Sequence, residues 1–246
     1  YNNAEFIRGA IESVLSQNYS LIEYIVIDGG SADGTLEIIK EYKDKISVFL
    51  SESDDGIYDA LNKGIRLAKG DVVAVLHSDD LFRDHHVVSD IIKKMSDTGS
   101  EFCFSDLVVV DDESGKVMRY YMANYFRRWM FRIGWMPPHP TCFINKSLFI
   151  EFGLYSTSYK IAGDFDFLVR IFYGRHICWT YLNRISVIMR RGGVSNLGLA
   201  SKKMIADEIN SSLRKNQVFS LPIFQLVRYL IRVIELVLKP KKGQYP

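Results

Sequence analysis

Apolar residues recur along the first half of the chain with two alternating periods. Phe6, Ala10, Ile11, Val14 and Leu15 share one face of a helical wheel, whereas Tyr24-Ile25-Val26-Ile27 is a β-rich run stopped by Asp28-Gly29-Gly30. The pattern predicts a helix over 35–42, with Ser31 or Asp33 as its cap, and a strand over 46–50. A helix over 57–68 carries Leu61, Ile65 and Ala68 on one face, and Gly70 stands just past its end. The run Asp71 to Leu76 predicts a strand buried on both faces. A helix over 85–95 and a strand over 102–110 follow. Strands alternating with helices need crossovers, so the predicted class is α/β with a Rossmann-like, mostly parallel sheet. Such a sheet ordinarily opens on an apolar strand. None precedes the first helix, so an upstream strand is expected to be missing, leaving a sheet edge unpaired or paired differently.

The pattern changes near residue 118. Tyr120, Tyr121, Tyr125, Phe126, Trp129, Phe131 and Trp135 interleave with Arg119, Arg127, Arg128 and Arg132. Three roles fit this segment: packing over the core, an acceptor surface or a membrane-facing patch. Pro137-Pro138-His139-Pro140 is stiff and extended. Helices are predicted over 146–152 and 164–173, and strands over 177–182 and 185–190. From residue 201 the chain reads as two basic helices appended to a domain spanning 1–200. The stretch 221–238 is apolar apart from Arg228, Arg232 and Glu235, which fall on one helical face; it is amphipathic and a poor membrane span. Its apolar side suits an anionic membrane surface or packing on protein.

Composition narrows the class. With 246 residues, a net charge near +2 and 48% hydrophobic residues, the chain is neither disordered nor a nucleic-acid polycation. Cys103, Cys142 and Cys178 are scattered, which argues against a disulfide framework and fits a reducing, cytoplasmic compartment. No Cys/His spacing suggests structural zinc.

Three acidic turns carry candidate chemistry. Leu76-His77-Ser78-Asp79-Asp80 ends an apolar run in two adjacent carboxylates, which suit a hard cation bridging a diphosphate, or cap the next helix. Asp28 opens a Gly-rich strand-to-helix turn and can accept from the imide of a uracil-like base; the turn lacks the P-loop ending and is not GxGxxG. Gly163-Asp164 opens a helix, as a cap or as a functional acid.

Taken together, these motifs resemble the inverting family 2 glycosyltransferases of GT-A fold, with the resemblance running from Tyr1 to about Asn196. Asp28 matches the first acid of that family's DDGS turn, with Gly29 in second place. His77-Ser78-Asp79-Asp80 matches its metal-binding DxD region, with His77 for the first acid. Gly163-Asp164 matches its ED motif, with Gly for Glu. The run Ser51 to Gly64 looks like a variant found in a subgroup that makes bacterial surface polysaccharides. The resemblance implies that Asp80 holds Mn²⁺ or Mg²⁺ against the donor diphosphate, with Asp79 beside the donor sugar. It implies Asp164 as catalytic base and Asp28, Glu52 and Asp54 as nucleoside contacts. It places His139 near the acceptor region and the basic loop holding Arg191 near the diphosphate. The implied activity is transfer from a nucleotide-diphosphate donor, a UDP-sugar, to a glycan or lipid-linked acceptor in cell-envelope or exopolysaccharide assembly, at the inner face of the membrane. Two rivals are a nucleotidyltransferase and a nucleotide-sugar-binding protein that has lost turnover.

Overall fold

The computed structural model describes residues 1–190, 198–221, 223–238 and 240. In chain order the elements are α1 (Ile7–Leu15), β1 (Ile25–Asp28), α2 (Thr35–Glu41), β2 (Val48–Ser51), α3 (Ile57–Leu67), β3 (Val72–Ala74), β4 (Asp80–Phe82), α4 (Val87–Thr98), β5 (Phe102–Val110) and β6 (Val117–Tyr121). Then come β7 (Phe143–Asn145), α5 (Lys146–Phe152), α6 (Gly163–Gly174), β8 (Trp179–Arg190), α7 (Gly198–Lys215) and α8 (Phe224–Val237).

The α/β class holds, but the sheet is mixed rather than mostly parallel. Strands β1 and β2 pair in parallel as a two-stranded unit. A six-stranded sheet runs β3-β7-β5-β8-β4, with β6 also on β5. Within it only β5 and β8 are parallel. Connection length explains one of the antiparallel pairs. Only a short turn separates β5 from β6, which permits a hairpin and no crossover. The edge strand β3 pairs with β7 alone, so Val72 and Val73 are half-buried and Ala74 is exposed, against the expected burial on both faces. The two strands predicted over 177–190 are one strand, β8. The interruption is a bulge: Ser105 faces Leu182 and Asp106 faces Ile185, so Asn183 and Arg184 are skipped. Arg184 then reaches Asp84, at 2.5 Å, and Asp90.

The aromatic segment after β6 is largely core. Phe126 packs against Phe104, Phe131, Phe172 and Trp179 at ring separations of 5.2–5.7 Å. Trp129 is the exception and stays exposed. What holds this segment on the sheet is a polar knot. Asp106, buried in the middle of β5, accepts from the hydroxyls of Tyr120 (2.5 Å) and Tyr181 (2.9 Å) and from the amide of Ala123 (2.7 Å). Helix α7 packs on α6, burying Ile205, Ile209 and Leu213 in the same core. There Ser212 and Asn216 donate to Asp166 at 2.8 and 3.2 Å.

Truncating Asp106 strands three buried donors. Asp106→Ala should destabilise the fold by about 3 kcal/mol, lowering the thermal midpoint by roughly 10 °C, while Asp106→Asn, which keeps an acceptor, costs less. Thermal unfolding followed by circular dichroism measures both.

Candidate active site

The turn after β1 is built around Asp28. Its Oδ2 accepts from the amides of Gly30 and Ser31, both at 2.9 Å, and from the Ser51 hydroxyl at 2.8 Å; Oδ1 accepts from the Ser31 hydroxyl. Burial raises its pKa, but these donors outweigh burial and hold the carboxyl below the usual range. Buried and engaged on both oxygens, Asp28 shapes the turn and ties it to β2. The chain start ties it onward. Asn2 and Asn3 donate their amides to Ser31 and Thr35, and the Asn3 side chain donates to Ser78 at 2.6 Å. The 28–35 turn and the 77–80 acids thus share one rim.

At that rim, Asp80 begins β4 and is 1% exposed, and neither carboxylate oxygen has a hydrogen-bond partner among the described residues. Burial, then the negative Asp79, push its carboxyl up to about 8. Asp79 is the more open of the two. His77 lies 6.2 Å, ring to ring, from His139, which shares a 2.8 Å hydrogen bond between Nε2 and the Tyr155 hydroxyl. Burial lowers both imidazoles to about 4, with His139 also depressing His77, so both are neutral near pH 7.

Asp164 sits in the first turn of α6, partly buried. Burial raises it to about 6, against the amide of Phe165 (2.8 Å), the hydroxyl of Tyr58 (3.2 Å) and the nearby His77. Tyr58 also donates to the Ile161 carbonyl at 2.5 Å. Glu208 of α7 holds the turn before α6 from the other side, accepting from the amides of Lys160, Ile161 and Ala162 at 2.8–3.0 Å. The acids expected to converge are therefore linked residue by residue. Asp28 bonds Ser51, the connection from β2 leads to Tyr58, Tyr58 touches Asp164, and Asp164 faces His77 beside Asp79.

The other expected residues divide. Asp54 lies against Gly29 and accepts from the Gly56 amide at 2.9 Å. Glu52 is exposed and paired with Lys63 at 2.9 Å. His139 stands behind His77 and is buried. Arg191 lies outside the described residues. Sequence reasoning missed Tyr58, Tyr155 and Glu208. For Tyr58 a signal existed: it shares the buried face with Leu61 and Ile65, and a phenol at a buried position needs a partner. Glu208 gave none, because its partners are backbone amides far away in sequence.

An α/β frame with acids at the Asp28 turn, at the start of β4 and at the start of α6 is that of a GT-A-like fold. The chain belongs to glycosyl transferase family 2, whose sequence pattern matches residues 1–155. An uncharacterised glycosyltransferase of Mycobacterium tuberculosis is 32% identical over 179 residues, 69% of this chain and 65% of its own length, so the chain spans slightly less than two thirds of that relative. A PGL/p-HBAD biosynthesis glycosyltransferase of Mycobacterium bovis is 24% identical over 200 residues, 79% of this chain and 76% of the relative. In fold the chain is similar to S. aureus TarS 1-349 in complex with UDP-GlcNAc (TM-score 0.65, 18% identity, 84% of this chain and 64% of that one). It is equally similar to the mannosyltransferase PcManGT of Pyrobaculum calidifontis in complex with GDP-Man and Mn²⁺ (TM-score 0.65, 16% identity, 95% and 67%).

Removing the Glu208 carboxylate frees three amides next to Asp164. Glu208→Ala should cost about 2 kcal/mol of stability and speed hydrogen exchange at residues 160–162 more than at the α6 interior. Exchange read by mass spectrometry, compared with Glu208→Gln, tests it.

Proposed function

We propose that the chain transfers a sugar, with inversion, from a UDP-sugar to a hydroxyl of a glycan or lipid-linked acceptor. Asp164 is the base. The observation that carries this is its setting: a carboxylate raised to about 6 yet ionised at pH 7, on the rim shared with the 77–80 acids. At that pH it can take the acceptor proton as the oxygen attacks the anomeric carbon from the face opposite the leaving diphosphate. The donor nucleoside lies on the Asp28–Ser31 turn, with Glu52 and Asp54 at its edge, Asp79 toward the donor sugar, His139 behind the reacting centre and Arg191 toward the diphosphate. The UDP-GlcNAc carried by TarS and the GDP-Man carried by PcManGT support a nucleotide-sugar donor.

The residues present fit a divalent cation. Asp80 offers two buried oxygens without donors among the described residues, and Asp79 adjoins it. Among the described residues no cluster of three or more His, Cys, Asp or Glu side chains is gathered, but a Mg²⁺-like ion bound through a diphosphate needs only one or two carboxylates. Asp80, with Asp79, would hold Mn²⁺ or Mg²⁺. Bound there, the ion supplies charge neutralisation for the departing nucleoside diphosphate.

The acceptor side points to a membrane surface. No helix among the described residues is long and apolar enough to cross a bilayer. Helix α8 nevertheless turns its acid inward: Glu235, 2% exposed, pairs with Arg119 at 2.5 Å. Its apolar side faces out, with Ile223 just before it and Leu230, Val233, Ile234 and Val237 along it all exposed. Exposed Arg127, Arg128, Trp129 and Arg132 lie on the adjoining segment, and the sequence continues with Lys239, Lys241 and Lys242. Outward apolar residues bordered by cations match an anionic lipid surface, where a lipid-linked acceptor would reside.

Two measurements test this function. UDP release from UDP-sugars, assayed with Mn²⁺, should lose about tenfold per pH unit below pH 6, because protonated Asp164 cannot accept a proton. Asp164→Asn should lower turnover by at least about a hundredfold with UDP affinity kept, and Asp80→Asn should remove the Mn²⁺-dependent part of UDP binding. Turnover that survives Asp164→Asn excludes the assignment. Separately, the protein should float with vesicles of phosphatidylcholine and phosphatidylglycerol, and Leu230→Glu/Val237→Glu should abolish flotation. A concentration-dependent dimer that ignores vesicles would instead assign that face to a second copy.

A further inference from the structure

Both glycines that replace acids at the rim are covered by side chains from one short segment. A Cβ added to Gly29 would stand 2.5 Å from Oδ2 and 3.1 Å from Cγ of Asp54. A Cβ on Gly163 would stand 2.8 Å from Cε2 and Cζ of Tyr58. Each glycine leaves the volume that a neighbour's side chain fills. Asp54 and Tyr58 are four residues apart on the connection from β2 into α3.

We propose that residues 52–58 form a clamp joining the two ends of the active site: Asp54, laid over Gly29, is the carboxylate that meets the donor nucleoside, and Tyr58, laid over Gly163, is the positioning residue for Asp164. This rests on the glycosyl-transfer function proposed above.

Hydrogen bonding separates the acids at the donor turn. Asp28 is buried, and both of its oxygens accept from the protein. Glu52 points to solvent and is held by Lys63. Asp54 is half-buried. Its Oδ1 is fixed by the Gly56 amide, and its Oδ2 lies over the bare α carbon of Gly29. It alone of the three combines a fixed direction with an open position on the turn, as recognition of a base N–H requires. An aspartate at position 29 would compete with Asp54 for the same space.

At the other end, the Tyr58 ring cannot step aside cheaply. Its hydroxyl is tethered to the Ile161 carbonyl and to Asp164 Oδ1, and the ring fills the space above Gly163. Lys63 fastens the segment between these contacts, binding Glu52, Asp59 at 3.2 Å and the Ser53 carbonyl at 3.1 Å. A donor pressing on Asp54 therefore acts on the same short stretch of chain that holds the base. The groups facing Asp164 are Tyr58 from α3, His77 from the loop before β4, Cys142 ahead of β7 and Tyr155 from the loop after α5. Of these, Tyr58 brings a hydroxyl proton to its carboxylate, shared between the Ile161 carbonyl at 2.5 Å and Asp164 Oδ1 at 3.2 Å.

The test uses the intact chain and UDP with Mn²⁺ as probe. Asp54→Asn should weaken UDP binding by calorimetry about tenfold, Gly29→Asp should do likewise by displacing Asp54, and the swap Gly29→Asp/Asp54→Gly should recover to within about threefold of the unaltered protein. Tyr58→Phe keeps the ring over Gly163 and removes only the hydroxyl. The Asp164 carboxyl, followed by carbon NMR titration, should then rise by about one pH unit, and the acid limb of UDP release should move with it. Unchanged UDP affinity in Asp54→Asn, or a swap no better than Gly29→Asp alone, overturns the donor half. An unmoved Asp164 titration in Tyr58→Phe overturns the positioning half. If the unaltered protein binds no UDP, the donor half falls together with the proposed function, and the Asp164 titration still decides the role of Tyr58.

Discussion

The turn at 160–164 is gripped from two sides, and the rest of the site depends on that grip. Glu208 of α7 takes three of its amides, and Tyr58 of α3 takes the Ile161 carbonyl. Buried backbone amides need acceptors. Those of residues 160–162, in the turn ahead of α6, find theirs on α7, so the carboxylate that follows is held between α3 and α7. Helix α7 is for this reason more than a cover: through Glu208 and the Ser212 and Asn216 bonds to Asp166 it orients the first turn of α6.

Two carboxylates on this rim differ because their surroundings differ. Asp164 is desolvated but keeps two hydrogen-bond donors, and burial wins only in part. Asp80 has burial and the repulsion of Asp79 with no donor among the described residues to oppose them, and its carboxyl is pushed further up. A moderately raised acid stays ionised at neutral pH and suits proton abstraction, whereas an orphaned buried acid calls for a positive partner. The neutral pair His77 and His139 fits the same logic. With both imidazoles uncharged, neither of them neutralises the neighbouring acids near pH 7.

Much of the fold was legible because periodicity reports burial. The helices at 57–67 and 163–174 and the strand at 102–110 emerged close to their predicted bounds. Strand direction was not legible, since apolar runs look alike whether a hairpin or a crossover joins them, and only the β5–β6 hairpin follows from connection length. The strand at 71–76 misled because Val72 and Val73 look fully buried in sequence while the sheet leaves them at an edge. The site divided in the same way. Asp28, Asp80 and Asp164 were visible as acids at element ends. Tyr58 and Glu208 were not, because their importance lies in what they touch across 103 and 46–48 positions of chain.

The last helix shows what amphipathicity can and cannot settle. The sequence of α8 separates charged from apolar residues, but the period alone does not say which stripe faces the protein. The neighbours decide. Arg119, stacked 4.7 Å from the Tyr121 ring on β6, offers a fixed cation, and Glu235 turns inward to meet it while Phe224 and Ile231 reach the core. Leu230, Val233, Ile234 and Val237 are left outside. Each such side chain forgoes about 1.5–3 kcal/mol of burial, whereas a single inward ion pair returns little once its desolvation is counted. A partner covering the outer stripe would recover that burial without disturbing the inward ion pair.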